Sequence, residues 1–223
     1  MKTQLLSFVK GILAGLAIGL GGFLYVLMVH FVQGELGRVL GSLLFAVGLF
    51  TVCTCMLHLY TGKIGMVYEG KQTKDFYISL PVMLIGNAIG AFGFGFALWV
   101  IFKDTSVMET VNRICTSRTT LASFDDFLAV IVQSTLCGVC VYLAVKAFSL
   151  NRLKPVGILL LVFFVFVFVY SGFQHCIANM FYFGFGNHIN GYTFINLAFC
   201  ILFNSLGPVF GVLLVKLIKN IKK

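Results

Sequence analysis

The sequence predicts an all-α membrane protein with six transmembrane helices, and three observations carry that expectation. First, the 223-residue chain is 60% hydrophobic and only 10% charged, whereas a soluble globule of that size still needs a polar skin. Second, charge-free runs occur at Gly11–Val29, Val39–Leu57, Phe76–Phe102, Phe127–Val145, Pro155–Gln174 and Tyr192–Val215. Each is near or above the roughly 20 residues a helix needs to cross hydrocarbon. Third, the cations sort by side. Lys2, Lys10, Lys63, Lys71, Lys74, Lys146, Arg152, Lys154, Lys216, Lys219, Lys222 and Lys223 fall together, and Arg38, Lys103, Arg113 and Arg118 fall opposite. The positive-inside rule then puts both termini in the cytoplasm.

Taken in order, the first run is too long and too glycine-patterned for a removable signal segment, so it is expected to stay as a span. The second is apolar to Leu57 and then meets His58-Leu59-Tyr60-Thr61-Gly62-Lys63-Ile64-Gly65 before Met66 resumes the pattern. A helix broken within the membrane fits that cluster. In the fifth, Leu159–Tyr170 meets Ser171-Gly172 and Gln174-His175 before the apolar restart at Ile177. The third and sixth each hold an Asn-x-x-Gly, at Asn87–Gly90 and Asn204–Gly207. Both kinds of feature therefore recur three spans apart. That is the mark of an inverted repeat of three plus three, although short polar motifs also recur by chance.

His175 is the residue that most needs a reason, because Pro155–Val215 contains no Asp, Glu, Lys or Arg. An ionisable ring at bilayer depth costs kilocalories and is a functional-site candidate by default. Broken helices expose N–H and C=O groups that lipid cannot satisfy, so protein or a water-filled path must line them. Half-helices starting after Thr61 and after His175 would turn positive dipole ends toward the midplane, which favours anions. Nucleic acid is a poor partner for such a chain, since the net charge of +9 follows from the membrane-side bias. Cys53, Cys55, Cys137, Cys140, Cys176 and Cys200 lie within hydrophobic runs and read as reduced packing residues. The Cys137-x-x-Cys140 pair lacks the second pair or histidines of a zinc site, so no metal and no cofactor is expected.

Gly172-Phe173-Gln174-His175-Cys176-Ile177-Ala178-Asn179-Met180-Phe181 resembles the signature G-F-E-H-S-I-A-N-M-F of the formate/nitrite transporter family, agreeing at eight of ten positions. Leu59-Tyr60-Thr61-Gly62 is similar to its L-F-T-G, Gly86-Asn87-x-x-Gly90 to its third-span G-N-x-x-G, and Asn196 and Asn204 to its two sixth-span asparagines. The resemblance runs from about Leu6 to Leu217. It implies an aquaporin-like, six-span homopentamer that conducts small monovalent anions. The chain is then one transmembrane transport domain over 1–223, with short cytoplasmic tails at about 1–7 and 218–223, in the cytoplasmic (inner) membrane.

By the same resemblance, Thr61 and His175 face each other in the pore, and Asn179 and Asn204 border the substrate pathway. Phe45, Leu49, Leu59, Tyr60 and Phe168 form the hydrophobic constrictions. Arg118 takes the place of a vestibule lysine if the fourth span is aligned from Asp126-Phe127; alignment on Tyr142–Val145 shifts it by one helical turn. Gln174 stands where the family has Glu, and His58 where an acid precedes L-F-T. The fourth-span pattern is only loosely echoed at Gln133–Cys137.

A formate, nitrite or hydrosulfide ion would be drawn in by positive vestibules but could not cheaply cross apolar rings with its charge. Either the permeant gains a proton near the constriction, or His175 donates and retrieves one, the preferred route at this level. Small anions, protons and lipid are thus the expected partners. The alternative is an aquaporin-like channel for neutral solutes, but neither half carries Asn-Pro-Ala. A hydrolase built on Ser171 and His175 lacks an acid to orient the ring and a G-x-S-x-G elbow.

Overall fold

The computed structural model describes residues 2–151 and 154–221, without the side chains of residues 2, 219 and 221. Arg152, Lys222 and Lys223, counted above among the cytoplasmic cations, lie outside the described residues. Among those described, ten α-helices and one 3-10 turn account for the fold: α1 Lys2–Phe31, α2 Glu35–Thr54, α3 Tyr60–Lys63 with the 3-10 turn Ile64–Tyr68, α4 Lys74–Phe102, α5 Val107–Thr119, α6 Phe124–Leu150, α7 Pro155–Tyr170, α8 Cys176–Phe185, α9 Gly191–Leu206 and α10 Pro208–Ile221. Five helical stretches are long and apolar enough to cross a bilayer: α1, α2, α4, α6, and α9 continued by α10. By contrast, α7 and α8 are shorter apolar helices.

Local chemistry explains most ends. Ser123 and Asp126 form a reciprocal cap at the start of α6, Asn190 and Thr193 do the same for α9, and the Thr73 hydroxyl accepts from Phe76 N at α4. These contacts satisfy the N–H groups that a first helical turn leaves orphaned.

The chain leaves helix between α2 and α3 and again between α7 and α8, by the same route. Met56 at φ 51° and Gly172 at φ 73° are left-handed. Leu57 N then donates to Val52 O and Phe173 N to Phe168 O, both at 2.9 Å, the six-to-one bond of a Schellman turn. The break in the second run therefore spans residues 55–59 and overlaps the polar cluster expected to cause it only at His58 and Leu59. Tyr60, Thr61, Gly62 and Lys63 are already helical.

The restarts match as well. Asn87 Oδ1 accepts from Tyr60 N at 2.8 Å while its Nδ2 donates to His58 O and Gly11 O. Asn204 Oδ1 accepts from Cys176 N at 2.8 Å while its Nδ2 donates to Gln174 O and Ser134 O. Both asparagines are fully buried. Each amide thus satisfies backbone groups that an apolar surrounding would leave unpaired, at about 1–3 kcal/mol apiece. Three residues on, a Cβ at Gly90 would collide with Ile12 O of α1, and one at Gly207 with Thr135 O of α6. Glycine at these two positions lets the backbones approach closely enough for the asparagines to reach across.

Candidate functional site

His175 is the N-cap of α8, and its ring is fixed from both sides. Nδ1 accepts from Ala178 N at 3.2 Å and Nε2 lies 2.8 Å from Thr61 Oγ1. A ring nitrogen that accepts from a backbone N–H carries no proton of its own, so the bonding assigns a neutral imidazole protonated at Nε2. Nε2–H donates to Thr61 Oγ1. Among the described residues Thr61 Oγ1 has no other hydrogen-bond partner, so the hydroxyl proton remains to be donated elsewhere. Both side chains are almost wholly buried, at 2% and 1% exposure.

Aromatic rings close over one side of this pair. Phe168 lies 5.9 Å from the His175 ring and 5.8 Å edge-on from Phe45. Phe45, Phe168, His175, Tyr182 and Arg118 line a cavity of about 30 Å³, the volume of about one water molecule. The Arg118 guanidinium sits 5.0 Å from the Tyr182 ring centroid, within cation–π range. Its Nε is buried without a partner, and the ion pairs among the described residues are Arg38–Glu35 and Lys146–Glu69. Arg118 is therefore a cation beside the central histidine with no anion assigned to it. Beyond it, Tyr25 also lines a larger cavity of about 600 Å³ with His30, Arg38 and Arg113.

A separate cavity of about 460 Å³ approaches from the other end, lined by Lys10, His58, Leu59, Gly62 and Lys63 among others. Lys10 and His30 lie on the same helix, α1, about 30 Å apart at 1.5 Å per residue. The cavities thus open at opposite ends of a bilayer-length helix. The 30 Å³ and 460 Å³ cavities share no lining residue, and His175 bounds the first while Leu59 bounds the second.

Of the site residues named from the sequence, the structure gathers His175, Arg118, Phe45 and Phe168 around the small cavity, with Thr61 bonded to His175, and sets Leu59 on the other side. Leu49 is buried but lines neither cavity. Tyr60 turns its hydroxyl to Ser205 Oγ at 2.8 Å, toward α9 rather than into a cavity. Asn204 spends its whole amide on backbone, as described above. Asn179 is fully buried and donates to Gln174 Oε1 and Asn196 Oδ1, each at 2.9 Å. Gln174, 4% exposed, also donates to Gln133 Oε1, and Asn196 Nδ2 donates to Arg118 O at 2.8 Å. A buried amide network therefore joins the fifth-run break to the backbone of Arg118. Three features of the site went unread in the sequence: helix α5, which carries Arg118 in its last turn, the ring of Tyr182, and the grip of Asn196 on Arg118. The amphipathic run Val107–Thr119 could have revealed the first; an isolated tyrosine in an aromatic-rich chain carries no signal for the second.

Long apolar helices, two matched breaks and two end-to-end cavities define an integral, multi-pass helical membrane protein. The profile described as Formate/nitrite transporter matches residues 2–219, and the chain belongs to that family. It is 25% identical over 220 residues to the nitrite transporter NirC of Escherichia coli (strain K12), covering 90% of this chain and 76% of that one. It is 21% identical over 189 residues to the formate channel FocB of the same organism, covering 81% of this chain and 66% of FocB. Among solved structures, a pentameric formate channel with formate bound superposes with a TM-score of 0.81 at 24% identity, covering 98% of each chain. These relatives are channels and transporters, not enzymes.

Proposed function

We propose that the chain is a channel or proton-coupled transporter for small monovalent anions of weak acids, formate, nitrite or hydrosulfide, acting as a homopentamer in the cytoplasmic membrane with both termini cytoplasmic. In this reading α2 with α3 is the second of six spans and α7 with α8 the fifth, both interrupted. The halves form an aquaporin-like inverted repeat; the paired Asn87 and Asn204 hydrogen-bond sets support it, since they join equivalent places in each half. The observation that carries the functional reading is the Arg118 guanidinium, without an acidic partner among the described residues, beside a neutral His175–Thr61 pair and between cavities that open at opposite ends.

Arg118 and the N-terminus of α8 attract an anion to the outer side of Phe45 and Phe168. A bare charge stops there, because the apolar rings offer nothing to replace its hydration. Low dielectric favours the neutral acid, which accepts the free proton of Thr61 as a hydrogen bond on its way past. His175 orients that hydroxyl. It does not supply the transferred proton in its capped form, since losing Nε2–H would leave an imidazolate and gaining a second proton at Nδ1 would break the bond to Ala178 N. Asn179, Asn204 and Tyr60 act by holding the backbone and the packing around the pair.

Proteoliposome flux tests the reading directly. Formate, nitrite or hydrosulfide should enter at rates far above empty vesicles while glycerol does not; glycerol passage without anion uptake contradicts it. Arg118→Met should lower anion uptake from the outer side about tenfold at low ionic strength, with the difference shrinking as salt is raised. Unchanged uptake at both salt levels would remove Arg118 from the pathway.

A further inference from the structure

His58 and Gln174 occupy equivalent places, two residues before the helical restart, and each gives its carbonyl to an asparagine amide. Their side chains differ. Gln174 is buried and committed to Gln133, Asn179 and Asn196. The His58 ring makes no hydrogen bond among the described residues, and its Nδ1 is buried without a partner.

The ring is nevertheless aimed. His58 N donates to Lys10 O at 3.4 Å and His58 O accepts from Asn87 Nδ2 at 2.9 Å, so the backbone on both sides is held and the ring lines the 460 Å³ cavity. The charged and titratable groups that face it are Lys10 from α1, Lys63 from α3 and the thiol of Cys53 from α2. No acidic residue lines that cavity among the described residues. The adjoining space shares Lys63 and Gly62 and holds Glu69, but Glu69 is taken by Lys146 Nζ at 2.6 Å and the Tyr142 hydroxyl at 3.0 Å. Leu59, 1% exposed, closes the cavity toward Thr61. Two ammonium groups, of which Lys10 Nζ also donates to Met56 O at 3.3 Å, and an imidazole unpartnered among the described residues thus line one space.

We propose that Lys10, His58 and Lys63 form a second anion site at the inner mouth, in which His58 transfers its proton to a small weak-acid anion before that species passes Leu59. The inference rests on the anion-transport reading and supplies the proton that capped His175 cannot. A carboxylate or nitrite oxygen takes the proton from a ring nitrogen; the imidazolium becomes neutral imidazole, and the neutral acid moves on past Leu59. A hydronium ion from the cytosol reprotonates the ring through the open cavity and leaves water. In the inward direction the neutral acid returns its proton to His58 and leaves as an anion between the two lysines. The lysines oppose a third positive charge, and a seated anion cancels that opposition, so proton and anion load together.

The test is formate efflux from proteoliposomes with internal pH clamped between 5 and 8 and external pH fixed, for wild type, His58→Gln and Lys63→Met. Wild-type efflux should rise as internal pH falls and then level off once the ring is fully charged. His58→Gln should be about a hundredfold slower at internal pH 6.5, the low end of what a positioned acid contributes, and should fall tenfold per pH unit without levelling. Lys63→Met should require more formate for half-maximal efflux. A wild-type profile that never levels off overturns the proposal whether or not the variants fold, and so does a His58→Gln profile identical to wild type. Formate flux would persist in both cases, leaving the anion-transport reading intact; its absence from wild type overturns both.

Discussion

His175→Phe is expected to reduce formate flux at least tenfold and up to about a hundredfold, with the protein still inserted in the membrane. Two hydrogen bonds disappear together: the one from Ala178 N to Nδ1, and the one from Nε2–H to Thr61 Oγ1. Losing an N-cap costs about 0.5–2 kcal/mol and frees the start of α8 to move. Losing the donor to Thr61 lets the hydroxyl rotate away from the neutral acid, and a hydrogen bond between neutral groups contributes about 0.5–1.5 kcal/mol. At 1.36 kcal/mol per tenfold in rate, the lost cap and the lost bond together cover the expected range. Phenylalanine also extends the apolar surface already formed by Phe45 and Phe168, so hydrophobic blockage and lost orientation act in the same direction. Initial uptake rates normalised to reconstituted protein check the expectation.

Asn204→Leu is expected to give the largest loss of stability of any single change near the site. The leucine is close in size but can neither accept from Cys176 N nor donate to Gln174 O and Ser134 O. All three backbone groups surround a fully buried residue, where water cannot take over. At about 1–3 kcal/mol for each unsatisfied group, the total is about 3 kcal/mol at the least. For a chain of this length that lowers the thermal midpoint by roughly 6–12 °C, readable by intrinsic fluorescence in detergent. A midpoint within about 2 °C of wild type would mean that the break is held by other contacts.

These two positions also illustrate what the sequence reveals and what it conceals. The fifth-run break is legible because its terminator is local: Gly172 adopts φ 73° and is followed at once by the polar Gln174 and His175. The second-run break is displaced because its terminator, Met56, is a methionine in a conformation that glycine usually takes. Its restart is capped by Asn87, distant in sequence, so no local window contains the cause. Span ends drift for a related reason. The charge-free run from Phe127 to Val145 becomes a helix from Phe124 to Leu150, since a Ser–Asp cap starts it earlier and a lysine within its last turns does not stop it. Motif membership identified His175, Thr61 and Arg118 as residues worth following. It could not say that Tyr60 faces Ser205 or that Asn179 Nδ2 is given to the amide network, because a motif gives positions along a helix and not the face each position presents.

As a neutral cap that aims Thr61, His175 should tolerate replacement by asparagine; formate flux through His175→Asn, measured across pH 5–8 beside His175→Phe, checks this. Asparagine is among the best N-cap residues and can donate a hydrogen bond, but it cannot carry a proton to the permeant. Flux within about tenfold of wild type is expected, with an unchanged dependence on external pH. Flux as low as that of His175→Phe, in a variant as stable as wild type, would contradict it and make the ring itself the proton carrier.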